Sequence, residues 1–218
     1  MGQTILTREQ IIVLKALSRD EKLVKTSYFT GGTALSEVFL HHRESDDIDI
    51  FSEIPFDPQA LMIIMTKIAK KENCTLSTQH VDPVYIFVLS FPNKKSLKVD
   101  FTYYPYPLLE KSGKQISGIA VDSFFDIAVN KLVTITQRTT VKDFVDLYYL
   151  LQTFTFWDLR NGAKKKFSLE IDPLLIASDF LAVESFDMLP RMKTKLTLSE
   201  LKSYFVTQAT TLGKKSLS

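Results

Sequence analysis

Two aspartates one residue apart, in Asp47-Ile48-Asp49-Ile50-Phe51, are the part of this chain best suited to chemistry. Side chains alternate faces along a strand, so Asp47 and Asp49 point one way while Ile48 and Ile50 point into a core. Neighbouring carboxylates repel unless a cation lies between them. A hard ion such as Mg²⁺ suits them, because it takes one or two carboxylates together with substrate phosphates. Without such a partner the pair reads as an ordinary solvated strand end. Asp46 is out of register and belongs to the surface or a turn. In Leu97-Lys98-Val99-Asp100-Phe101 the apolar residues share one face, leaving Lys98 and Asp100 on the other. Asp100 is therefore a candidate third acid, and an acid inside an apolar strand needs a partner. Three carboxylates from two strands would suit two metal ions about 3.5–4 Å apart, as used for in-line phosphoryl chemistry.

Upstream, Gly31-Gly32-Thr33 sits between a predicted strand and a predicted helix. Glycines there let the backbone approach a ligand, and a helix start offers N–H groups to phosphate oxygens. Taken alone, such a pair is simply a turn. Downstream, a helix opening at Ser123 has Phe125, Ala128, Val129, Leu132, Ile135 and Thr136 as its packing face. Lys131, Thr134 and Arg138 fall on the opposite face, where they would bind a triphosphate or an RNA backbone, or merely be solvated. Asp143 and Asp146 on the next helix can position Arg138, cap the helix start or serve chemistry. His41 and His42 are neighbours that do not share a helix face, which argues against zinc. Lys164-Lys165-Lys166, with Phe156, Trp157, Arg160 and Phe167 nearby, is a weaker RNA-contact candidate.

The elements that position these residues follow from periodicity and caps. Thr7-x-x-Gln10 opens a first helix with Ile11, Leu14, Leu17 and Leu23 on its apolar side, and a short strand from Tyr28 to Thr30 leads into the glycines. A helix from Thr33 to Leu40, the strand of Asp47 and Asp49, and a helix opened by Asp57-Pro58 come next. Strands at Thr75–His80, Val84–Phe91 and Leu97–Tyr104 follow, with Pro92-Asn93-Lys94-Lys95 turning the last two into an antiparallel pair. After Val121 the pattern is helical: from Ser123, from Lys142 to Phe154, from Asp172-Pro173, and from the Thr197-x-x-Glu200 capping box. The expected fold is α+β, a mixed sheet with helices over residues 1–121 followed by a helical region over 122–218.

The 218 residues suffice for one large domain or two small ones. A net charge of +2 gives no overall pull on nucleic acid, so any such binding needs a local patch. Cys74 is the only cysteine, which excludes an internal disulfide and suits a reducing cytosol. The N-terminal residues lack a basic-then-apolar leader, and Leu6 stands where myristoylation of Gly2 would want Ser or Thr. No apolar run is long enough for a bilayer, so a cytoplasmic protein is expected.

Taken together and in order, Gly31-Gly32-Thr33-Ala34-Leu35, His42-Arg43-x-Ser45, Asp47-x-Asp49-x-Phe51 and Lys131-Leu132 followed by Arg138, Lys142-Asp143, Asp146-Leu147-Tyr148 resemble the AbiEii/AbiGii-type nucleotidyltransferase toxins. The resemblance implies the fold of the DNA polymerase β-like nucleotidyltransferase superfamily, with Mg²⁺ (two ions) and a nucleoside triphosphate. It also implies a toxin of a toxin–antitoxin or phage-defence pair, acting on an RNA acceptor, in some relatives the end of tRNA. Carried over by position, Asp47 and Asp49 hold metal, with Asp100 as third acid on strand pattern plus family logic. Gly31, Gly32 and Thr33 contact phosphates, Ser45, Lys131 and Arg138 join the nucleotide site, and Lys131 and Asp143 serve catalysis. Lys142 departs from the pattern, which has Arg there, keeping the charge but losing the bidentate fork. Transfer to a protein or small molecule, and a non-catalytic RNA- or antitoxin-binding protein of the same fold, are the competing functions.

Overall fold

Buried and half-buried residues alternate along Ile48–Ser52 and through most of Ser96–Tyr103, and these two strands form the centre of a seven-stranded mixed sheet. The structure is a computed structural model that describes residues 4–216, without the side chains of 215 and 216. The first three residues, part of the stretch read for a leader and for lipidation at Gly2, lie outside the described residues. The chain divides into two compact units: residues 1–39, 45–107 and 111–123, and residues 40–44, 108–110 and 124–218.

The first unit runs α1 (Arg8–Leu17), α2 (Glu21–Thr26), β1 (Tyr28–Thr30), α3 (Gly31–Leu35) with a π-helical turn at Ser36–Leu40, then β2 (Ile48–Ser52). It continues with α4 (Pro58–Lys71), β3 (Thr75–Val81), β4 (Val84–Ser90), β5 (Ser96–Tyr103), β6 (Gln115–Ile116) and β7 (Ile119–Val121). The strands lie in the order β3-β4-β5-β2-β1-β7-β6. β2 is antiparallel to β1 and parallel to β5, while β3, β4 and β5 form an antiparallel meander. Ile48, Ile50, Val99 and Phe101 are fully buried, and burial of such side chains contributes about 1.5–3 kcal/mol each. That apolar face fixes the register, because a one-residue slip would turn the aspartates inward. The Thr7–Gln10 capping box forms as expected, and Gln10 Nε2 also donates to the carbonyl of Ser45 at 2.8 Å, tying α1 to the approach to β2.

The second unit is helical: α5 (Phe124–Ile135), α6 (Val141–Leu150), α7 (Phe156–Phe167), α8 (Pro173–Leu181), a 3₁₀ turn at Ala182–Ser185 and α9 (Leu198–Ser216). The caps at Asp172 and Thr197 hold as read. α7, unforeseen in the sequence, is polar and contains Gly162, but starts on a capping box between Thr155 and Asp158. A Cβ at Gly162 would stand 2.4 Å from Val129 Cγ2, so this glycine permits the close approach of α7 to α5. α5 ends at Ile135, which leaves Thr136 and Arg138 beyond the helix, and α6 ends at Leu150 rather than Phe154. The α+β plan, a mixed sheet with helices before a helical region, is the one the sequence predicts. Among the described residues no helix is long and apolar enough to cross a membrane.

Candidate active site

The register of the sheet gathers the acids. Asp49 on β2 pairs directly with Asp100 on β5, and Asp47 lies two residues before Asp49 on the same side of its chain. Lys98 joins them from β5. Its ammonium donates to Asp100 Oδ2 at 2.7 Å and lies 3.6 Å from Asp47 Oδ2. Burial pulls the Lys98 pKa down, but the hydrogen bond and charge of Asp100 and the charges of Asp47 and Asp49 outweigh it and hold it above the ordinary lysine value. Asp47 is half-exposed, whereas Asp100 is mostly buried and its Oδ1 has no hydrogen-bond partner among the described residues.

Gly31 is dictated by this arrangement. It sits at φ +74°, and a Cβ there would meet Asp49 Oδ2 at 2.0 Å. Only glycine lets β1 turn into α3 with the Asp49 carboxylate lying against it. Thr33 is buried, and its hydroxyl donates to the carbonyl of Asp47, pinning the start of the acid motif to α3. Ser45 is half-buried and held through its carbonyl by Gln10.

In the second unit the charges expected on an exposed stripe instead form a largely buried network. Asp146 is fully buried; its Oδ1 accepts from His42 Nε2 at 2.8 Å and Arg43 Nε at 2.6 Å. Its Oδ2 accepts from Arg43 Nη2 at 2.8 Å and pairs with Lys131 Nζ at 2.7 Å. Lys131 also donates to Asp143 Oδ1 at 2.7 Å, and Asp143 Oδ2 accepts from Arg138 Nε at 2.9 Å and Thr140 Oγ1 at 2.5 Å. Burial alone would raise the Asp146 pKa, but the charges of Lys131 and Arg43 and the hydrogen bonds of His42 and Arg43 hold it far below the carboxylate range. Asp143 is depressed in the same way by Lys131, Arg138 and Thr140 against its own burial. Burial pushes the His42 imidazole below its usual value although Asp146 pulls the other way.

The sequence pattern placed Lys131 on a face opposite the packing face; instead α5 is buried on nearly all sides and Lys131 is 8% exposed. Arg138, off the helix, has a side chain 62% exposed while its Nε is held by Asp143. The lysine run is split too: Lys164 pairs with Glu170, and Lys166 forms a fully buried ion pair with Asp126 at 2.6 Å. Arg43 and Lys98 had no role assigned from sequence. Strict alternation on β5 was the signal for Lys98, whereas the partner of Arg43 lies 103 positions away and left none.

Three carboxylates, all oxygen donors, suit a hard divalent ion, and the unsatisfied Asp100 Oδ1 is a ligand atom in want of a partner. Among the described residues no three carboxylate, imidazole or thiolate groups converge closely enough to share one ion. Here Lys98 takes up the contact that Asp47 and Asp100 would offer.

Residues 13–198 match the family described as nucleotidyl transferase AbiEii toxin of type IV toxin–antitoxin systems. An uncharacterized protein of Aquifex aeolicus (strain VF5) is 37% identical over 162 residues, 72% of this chain and 73% of its own length. The crystal structure of a Helicobacter pylori protein described as a candidate nucleotidyltransferase superposes with a TM-score of 0.59 at 20% identity, over 96% of this chain and 97% of that one. MenT4, a nucleotidyltransferase toxin of Mycobacterium tuberculosis H37Rv, gives a TM-score of 0.59 at 15% identity over 94% and 82% of the two chains. At such identities the likeness is one of fold.

Proposed function

Because the chain belongs to the AbiEii family of nucleotidyl transferase toxins, and is thus a nucleotidyltransferase, we propose that it moves a nucleoside monophosphate from a nucleoside triphosphate to the 3′ hydroxyl of an RNA, with tRNA as the acceptor. The observation that supports this most is the pairing of Asp49 with Asp100 across β2 and β5, with Asp47 beside them and one buried Asp100 oxygen unsatisfied. Asp47, Asp49 and Asp100 would hold Mg²⁺, as two ions when both are bound, which neutralises triphosphate charge and stabilises the attacking and leaving oxygens.

The chain's own residues do the rest. Backbone N–H groups at Gly31, Gly32 and Thr33 donate to phosphate oxygens, and the Ser45 hydroxyl donates beside them. The acceptor hydroxyl gives its proton to solvent as its oxygen attacks the α-phosphorus; the bond from that phosphorus to the β-phosphate oxygen breaks and pyrophosphate leaves. In the second unit Asp143 holds the Arg138 guanidinium and is itself held by Lys131, so both act by positioning that charge. The toxin role implies a cognate antitoxin encoded nearby, and the need for nucleotides and RNA sets the reaction in the cytoplasm.

The test is purified protein with α-phosphate-labelled nucleoside triphosphates, total RNA and Mg²⁺. Label should enter the tRNA band, and Asp49→Asn should abolish it. Label in protein or in a small molecule, or RNA labelling that survives Asp49→Asn, would overturn the proposal.

A further inference from the structure

Lys98 has no part in the transfer described above, yet it sits among all three acids. It lies on β5 two residues before Asp100 and shares its face. Its ammonium is bonded to Asp100 Oδ2 at 2.7 Å and stands 3.6 Å from Asp47 Oδ2, with a side chain 37% exposed. An ammonium is a compact point charge on a flexible stem, the side chain closest in kind to a small cation. It offsets the repulsion between carboxylates directly opposed on paired strands, an unfavourable arrangement for like charges. It is also an incomplete substitute, because Asp100 Oδ1 has no hydrogen-bond partner among the described residues.

We propose that Lys98 is a tethered counter-ion that occupies the contact between Asp47 and Asp100 and competes with the divalent cation for them, so that it sets the metal affinity of the site. The inference rests on the reading that Asp47, Asp49 and Asp100 bind metal. Metal entry requires the ammonium to leave Asp100 and Asp47, and its partial exposure gives the four-carbon stem a path to solvent. The toxin then binds metal more weakly than three bare carboxylates would.

Mn²⁺ binding to the full chain without nucleotide, followed by the loss of the free-ion paramagnetic resonance signal, tests this. Two partly exposed ion pairs are worth together about a tenfold change in affinity, so Lys98→Met should lower the Mn²⁺ dissociation constant about tenfold. Lys98→Arg should stay near wild type. In a thermal melt, Lys98→Met should unfold at a lower temperature than wild type without divalent ion and gain more from added Mg²⁺. Lys98→Gln provides the same comparison should the methionine variant not fold. Equal or weaker Mn²⁺ binding by the folded variant overturns the counter-ion role. If Asp49→Asn still abolishes that binding, the metal reading stands and the inference alone falls. If neither wild type nor variant binds Mn²⁺, the metal reading fails and the inference with it.

Discussion

Replacing Gly31 by alanine adds one carbon where the backbone and the acid site meet. The residue sits at φ +74°, and an L side chain in that region costs about 1–2 kcal/mol. The new Cβ would lie 2.0 Å from Asp49 Oδ2 and 2.8 Å from Asp49 Cγ, so the carboxylate or the turn must move by about 1 Å or more. Overpacking of this kind adds about 1–3 kcal/mol, giving a total loss of about 2–5 kcal/mol. A displacement near 1 Å in a catalytic group costs about 100-fold in rate. Gly113→Ala is the control: φ is +65° but no atom lies within 4 Å of its Cβ, so it should lose only the backbone part and no activity. Urea unfolding of both variants, of Asp49→Ala, and of Gly31→Ala combined with Asp49→Ala, separates the two costs. Removing the carboxylate relieves most of the clash, so the double variant should be more stable than the sum of the singles by about 1–3 kcal/mol. Additive losses, or a Gly31→Ala protein as stable as Gly113→Ala with full transfer activity, would refute the reasoning.

Other outcomes follow from the buried charges. Asp146→Asn leaves Arg43 and Lys131 buried with one counter-charge fewer and should cost about 3–5 kcal/mol in urea unfolding. Lys166→Met removes a buried counter-charge of Asp126, which also accepts the N–H groups of Leu109 and Glu110, and should cost a similar amount, about 3–5 kcal/mol, by the same measurement. His42 has a folded pKa below its ordinary 6.5, so the unfolded chain takes up that proton first. Its contribution is present above pH 6.5 and is lost as pH falls; thermal melts across pH should show this loss and His42→Gln should remove it. Asp143 and Asp146 lie below the ordinary 3.8, so a second loss should appear under pH 3.8, and Asp146→Asn should diminish it.

Much of the first unit could be read locally. Alternation of Asp and Ile set the faces of β2, Pro92–Lys95 marked the β4–β5 turn, and side-chain caps marked α1, α4, α8 and α9. The meeting of Asp49 with Asp100 could not be read so, because it depends on β5 lying parallel beside β2, a relation between distant segments. Lys131 misled because a lysine in an amphipathic pattern reads as solvated. Its burial depends on Asp143 and Asp146, 12 and 15 positions later, with Arg43 on the same Asp146. Helix α7 is illegible because it is polar and packs through a glycine, and Leu23 reads as part of the first helix, whereas that helix ends at Leu17 and Leu23 lies on α2, which Asp20 caps afresh.

The most direct test of the account is single-turnover transfer of labelled nucleotide to RNA by wild type, Asp49→Asn, Asp100→Asn and Asp46→Asn. Asp46 neighbours the site in sequence but is exposed and out of register. The account predicts that Asp49→Asn and Asp100→Asn each lose at least about 100-fold in Mg²⁺-dependent rate while Asp46→Asn keeps it. Equal rates for all four proteins, or a loss at Asp46 alone, would contradict it.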